Sequence, residues 1–118
     1  MCCATVWGKG MNTMERVAFL IDLKPGADPM EYKRRHDALW PEMAATLRGA
    51  GIRNYSIFLH GAILFAYLEC EDFAEMVRSL AHDPVDARWQ EHMRDMIGVT
   101  VDPETGFAHR LPELFHLG

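Results

Sequence analysis

No run of about 18 apolar residues interrupts the 118-residue sequence, so no membrane-crossing helix is expected. The first 13 residues, "MCCATVWGKGMNT", hold one lysine and no apolar core, so they do not read as a secretory signal. Cytoplasmic residence without a membrane partner follows. Cysteine is scarce: Cys2 and Cys3 are adjacent, Cys70 stands alone, and no CxxC pair occurs. That excludes a disulfide framework and suits a reducing compartment. Positive charge is also in short supply. Twelve Lys and Arg face 17 Asp and Glu, a formal net charge of −5. Such a field repels polyphosphates, so no nucleic-acid partner is expected. The one basic cluster, "KRR" at 33–35, is flanked by Glu31 and Asp37 and reads as a solvated helix face.

Motifs for borrowed chemistry are missing too. There is no GxGxxG, Walker A loop or GxSxG elbow, which leaves nucleotide cofactors and a serine nucleophile unsupported. The six histidines (36, 60, 82, 92, 109 and 116) show no HExxH and no tight Cys/His spacing. His92 and Asp95 make only a weak i, i+3 pair, so neither metal nor cofactor is expected.

What is present is enough for one packed domain: 49% apolar residues, 10% of the chain aromatic. Residues 1–13 lack periodicity and precede Met11 and Met14, so they read as a disordered extension to a domain over 14–118. "ERVAFLIDL" (15–23) alternates as a strand. Asp28, Pro29 and Glu31 then form a helix start, and the helix is expected to run to about Arg48 with a kink at Pro41. "IRNYSIFLHGAILFAYLEC" (52–70) reads as a hairpin turning at His60-Gly61. Asp72 with Glu75, and Asp83 with Pro84, start two more helices; the second is expected to end at Gly98. A last short edge strand is expected near "LPELFHL". The order β-α-β-β-α-α-β matches a ferredoxin-like α+β domain, an antiparallel sheet with helices on one face. Its other face would carry Ala18, Leu20, Tyr55, Ile57, Ala66 and Leu68. Leaving it bare costs about 25 cal/mol per Å², so a homodimer stacking two sheets in the manner of dimeric α/β-barrels is expected.

Within "EYKRRHDALWPE" (31–42), helical spacing puts Tyr32, His36 and Trp40 on one face, with Leu39, Met43 and Leu47. A histidine on an apolar stripe is more often a satisfied core residue than a functional one. Here the imidazole has a phenol and an indole one turn to either side. Together they offer a proton carrier, a hydrogen-bonding handle and a flat apolar platform, the parts needed to hold and protonate a sugar.

The block "EYKRRHDALWPEM" resembles the signature of the L-rhamnose mutarotase family, Y-x-x-R-H-x-x-(I/L)-W-P-E. "NYSIFL" (54–59), "RW" with "HMRDMI" (88–97) and "PELFHLG" resemble its second-strand, third-helix and C-terminal motifs. The resemblance spans roughly Met14 to Leu117. It implies a ferredoxin-like dimer that interconverts the α and β anomers of L-rhamnose, or of a related 6-deoxyhexose such as L-fucose, without a cofactor. By motif position His36 would be the proton donor, with Tyr32, Tyr55 and Trp89 binding the sugar. Gln90 stands where the family usually has a second tryptophan, and "VDPETGF" (101–107) where it has an N-P-D-N-S-P-like loop. Gln90 would therefore alter preference among sugar hydroxyls and methyls.

The implied chemistry is simple. A proton reaches the ring oxygen, another leaves the anomeric hydroxyl, the ring opens, and it recloses on the other face. The base stays open among water, Glu42 and His36 acting through solvent. Two other classes stay open as well: a metal-free oxygenase or cyclase of the dimeric α/β-barrel group, and a non-catalytic sugar-binding domain.

Overall fold

The computed structural model describes residues 14–98 and 101–118. The expectation for residues 1–13 lies outside them. The first strand, β1 (Glu15–Leu23), leads to α1 (Pro29–Asp37) and α2 (Pro41–Gly49). A hairpin of β2 (Ile52–His60) and β3 (Ile63–Cys70) follows, then α3 (Phe73–Ala81), α4 (Pro84–Met93) and a two-residue β4 (Ile97–Gly98). The sheet order is β2-β3-β1-β4, all antiparallel, which is the ferredoxin-like α+β arrangement.

The helix starts form as their sequences dictate. Asp28 accepts from the Met30 N–H, Asp72 from the Glu75 N–H, and Asp83 from the Val85 and Asp86 N–H groups. The expected single helix over 29–48 is corrected: it is two helices. Pro41 has no N–H for the Asp37 carbonyl, and its ring drives Trp40 into extended backbone (φ −60°, ψ 137°). The chain therefore breaks after Asp37 instead of kinking, and Pro41 opens α2 as its first residue.

The hairpin turns one residue later than expected, on Gly61-Ala62, with His60 paired to Ile63. Gly61 takes a φ of +63°, which only glycine adopts freely. The last helix also stops early, at Met93. Ile97 and Gly98 pair instead with Leu23 and Asp22, so the final strand is here and not at "LPELFHL". Pro112 breaks that segment. Its backbone is tied to β1 by the Phe19–Arg110 bridge and the Leu111 N–H to the Ala18 carbonyl (2.7 Å), and its Glu113 carboxylate accepts from the Arg16 guanidinium of β1 at 2.9 Å.

The core lies between sheet and helices. Val17, Phe19, Ile21, Leu64, Ala66 and Leu68 point inward against Met43, Met76, Trp89 and Met93. Ala66, Leu68 and Ile57 thus belong to the covered face, against expectation. The open face carries Ala18, Leu20, Phe58, Phe65 and Tyr67. Ala66 and Leu68 follow their β1 partners Phe19 and Val17 onto the core side, whereas for Tyr55 and Ile57 the cause is a bulge in β2. Arg53 pairs with Glu69 and Ser56 with Tyr67, so two residues, Asn54 and Tyr55, oppose Leu68 alone. The extra residue, Asn54, sits at φ +51°, and its amide donates to Glu69 Oε1 at 2.7 Å. A regular strand continued from Ile52 would have paired Tyr55 with Tyr67 and turned it outward. The bulge turns Tyr55 and Ile57 inward.

Candidate active site

A cleft of about 990 Å³ opens between the helices and the β2 side of the sheet. It gathers Tyr32 and His36 from α1, Tyr55 from β2, and Asp86, Trp89 and Gln90 from α4. All five residues singled out in the sequence, His36, Tyr32, Tyr55, Trp89 and Gln90, are thus brought together. Trp40 is not among them. The break before Pro41 swings it away, and it packs edge-on against Trp89 at 5.1 Å with the Arg88 guanidinium over its ring. The indole facing His36 is Trp89.

His36 is fixed on three sides. Its ring stacks on Tyr32 at 4.2 Å and meets the Trp89 ring edge-on at 5.3 Å. Nδ1 lies 3.0 Å from the Tyr32 carbonyl oxygen. That oxygen can only accept, so Nδ1 carries the hydrogen and Nε2 is left to exchange protons. Burial lowers the His36 pKa from its ordinary 6.5, against smaller opposing effects of the Tyr32 carbonyl and Asp37. A lower pKa makes the imidazolium a stronger acid and leaves less of it at neutral pH.

The phenols are shifted the other way. Burial pushes Tyr32 up to about 12, and pushes Tyr55 up as well, with Tyr32 and Asp86 adding to it. Tyr55 as a residue keeps 37% exposure on the edge strand, while its phenol end is enclosed by the cleft. Both hydroxyls stay protonated at neutral pH and act as hydrogen-bonding groups.

The wall carrying His36 is locked to the opposite wall. Arg35 forks onto Asp95 at 2.9 and 3.2 Å and donates to the His92 carbonyl at 2.9 Å. Its Nε also holds Glu31 at 2.8 Å. The "KRR" cluster is therefore only partly a solvated face: Lys33 and Arg34 pair within their own helix, and Arg35 joins α1 to the turn after α4.

Glu42, named as a possible base, lies outside the cleft and faces Arg88 at 4.0 Å. The carboxylate that sequence reasoning missed is Asp86. It is half-buried, and burial raises its pKa, partly offset by the Gln90 amide at 3.3 Å. The signal was present in the spacing: residues 86, 89 and 90 share one helical face. An acid in the first turn of a helix reads equally well as a partner of the helix dipole, which hid it. Among the described residues no group of three His, Cys, Asp or Glu side chains forms a metal site.

A family model described as L-rhamnose mutarotase matches residues 16–117. An L-rhamnose mutarotase of Leptothrix cholodnii is 40% identical over 107 residues, covering 89% of this chain and 98% of that protein. One from Listeria monocytogenes serotype 4b is 42% identical over 106 residues, covering 88% and 99%. The crystal structure of an L-rhamnose mutarotase from Formosa agariphila superposes with a TM-score of 0.71 at 32% identity, covering 88% of this chain and 99% of that one.

Proposed function

This chain belongs to the L-rhamnose mutarotase family, and from that premise we propose that it is an isomerase interconverting the α and β anomers of L-rhamnose. The observation carrying this reading is the convergence of His36, Tyr32, Tyr55 and Trp89, from three separate elements, on one cleft. His36 Nε2 is the proton donor to the ring oxygen. Tyr32 and Tyr55 hold sugar hydroxyls, and the Trp89 face packs on the apolar side of the sugar. Gln90 tunes the choice of sugar, with L-rhamnose first and L-fucose the nearest rival. No redox or covalent step is needed. The relatives matched give the oxygenase or cyclase reading, and the binding-only reading, no support.

Saturation-transfer NMR between the anomeric protons of L-rhamnose tests the activity: exchange should rise in proportion to added protein. An unchanged exchange rate would overturn the reading. Gln90→Trp should shift the ratio of L-rhamnose to L-fucose exchange toward rhamnose, and an unmoved ratio removes Gln90 from the selection of substrate.

On this proposal residues 14–118 carry the activity and act as a homodimer. Support for the dimer comes from the open sheet face, where Leu20 is 43%, Phe58 61% and Phe65 39% exposed. Light scattering at micromolar concentration should give twice the 13.5 kDa chain mass. No helix among the described residues is long and apolar enough to cross a membrane. A cytoplasmic location is the finer proposal, consistent with the free, buried Cys70 thiol.

A further inference from the structure

Mutarotation needs a proton acceptor as well as a donor, and the cleft contains a candidate. We propose that Asp86 is a second catalytic residue: its carboxylate takes the proton of the anomeric hydroxyl while His36 delivers one to the ring oxygen. This rests on the mutarotase reading above and deepens it.

Placement comes first. Asp83 caps α4 and takes the Asp86 N–H at 3.3 Å, which fixes the first turn. Asp86 then shares the cleft-facing side of α4 with Trp89, one turn on. His36 approaches that same indole from α1 at 5.3 Å. The two ionisable groups thus come from opposing helices and flank one apolar platform. Gln90 Nε2 donates to Asp86 Oδ1 at 3.3 Å, and Oδ2 has no hydrogen-bond partner among the described residues. Gln90 is a positioning residue in this respect: it holds one oxygen and leaves the other for substrate.

Elimination agrees. Two carboxylates line the cleft, Asp37 and Asp86. Asp37 is exposed and bound to Lys33 at 2.7 Å. Asp86 pairs with no cation among the described residues. Its partial burial makes the carboxylate a stronger base than one in water.

The step balances. Oδ2 takes the O1 proton, the O1 electrons form C1=O1, the C1–O5 bond breaks, and His36 protonates O5. The open aldehyde turns about C1–C2. O5 attacks the other face of C1, His36 takes the O5 proton back, and the Asp86 carboxylic acid returns a proton to O1.

Asp86→Asn and Asp86→Ala, compared with wild type by anomer-exchange NMR and thermal melting, test this. Each should lose about 10²-fold in kcat with KM within about threefold and a near-normal melting temperature. Added formate should restore part of the rate to Asp86→Ala and none to Asp86→Asn. A raised KM at normal kcat would make Asp86 a hydroxyl anchor. A lowered melting temperature with a normal rate per folded molecule would make it structural. A well-folded, inactive Asp86→Ala that formate does not revive also overturns the assignment. If wild type itself fails to accelerate exchange, the mutarotase reading falls, and the proposal with it.

Discussion

Two histidines stand 5.3 Å from the Trp89 ring, one lining the cleft and one outside it. His36 lies on the cleft side, half-buried, stacked on Tyr32, with Nδ1 held by a carbonyl. His92 lies outside the cleft, exposed, 5.3 Å from both Trp89 and Trp40. Proximity to an aromatic is therefore shared, and it separates nothing. What differs is enclosure: burial at the cleft desolvates the imidazole, the Tyr32 carbonyl fixes its tautomer, and the ring lines a space large enough for a sugar. The outer side offers packing and contributes a backbone carbonyl to Arg35.

Alanine at each position breaks the comparison most directly. His36→Ala should cost about 10²-fold or more in exchange rate, roughly 3 kcal/mol of barrier, with the fold retained. His92→Ala should stay within about twofold. Rate and melting temperature measured on one sample decide it: if His36 only fills space, alanine lowers the melting temperature and spares the rate per folded molecule.

The next effect lies across the cleft, at the bulge. Asn54→Val forces a β-branched residue into the left-handed region and should cost about 1–2 kcal/mol of stability by urea titration. Asn54→Gly should be close to neutral. Equal stabilities for the two variants would show that the positive φ is not needed. Tyr55→Phe keeps the ring and removes the hydroxyl that the bulge turns inward. It should raise KM about fivefold, the loss of one hydrogen bond worth about 1 kcal/mol, with kcat little changed.

The smallest effect concerns pH. The folded His36 pKa lies below its ordinary 6.5, so the folded state favours the neutral ring. Its contribution to stability is present above pH 6.5 and is lost as the pH falls from there through the folded value. Wild type should lose melting temperature on acidification over that window, and His36→Asn should lose less. Parallel curves would count against desolvation as the cause.

The comparison also shows where the sequence speaks plainly. Local chemistry was legible: Asp28-Pro29, Asp72 with Glu75, and Asp83-Pro84 start helices because their orphan N–H groups are satisfied within a few residues. The cleft residues were legible through motif resemblance, which brought Tyr32, His36, Tyr55, Trp89 and Gln90 to one place. Pairing was harder. Both faces of the sheet alternate apolar residues, so periodicity could not tell which face of β2 and β3 meets the helices, and one extra residue at Asn54 reverses the answer for the rest of β2. Helix length failed at Pro41 for a related reason: the apolar spacing continues through Leu39, Met43 and Leu47, while the backbone does not. Asp86 was overlooked because a first-turn acid has an ordinary role that needs no cleft.

The bulge has a consequence for solubility. In the four-stranded sheet β2 is an edge, and it presents the exposed side chains of Phe58 and Leu59 beside a row of N–H and C=O groups with no strand partner among the described residues. A long regular edge of that kind is a template for strand addition and aggregation. At Asn54 and Tyr55 the row is broken and locally twisted, so an incoming strand cannot pair along the full length of β2. The residue that turns the Tyr55 phenol into the cleft also interrupts the edge along which another strand would add.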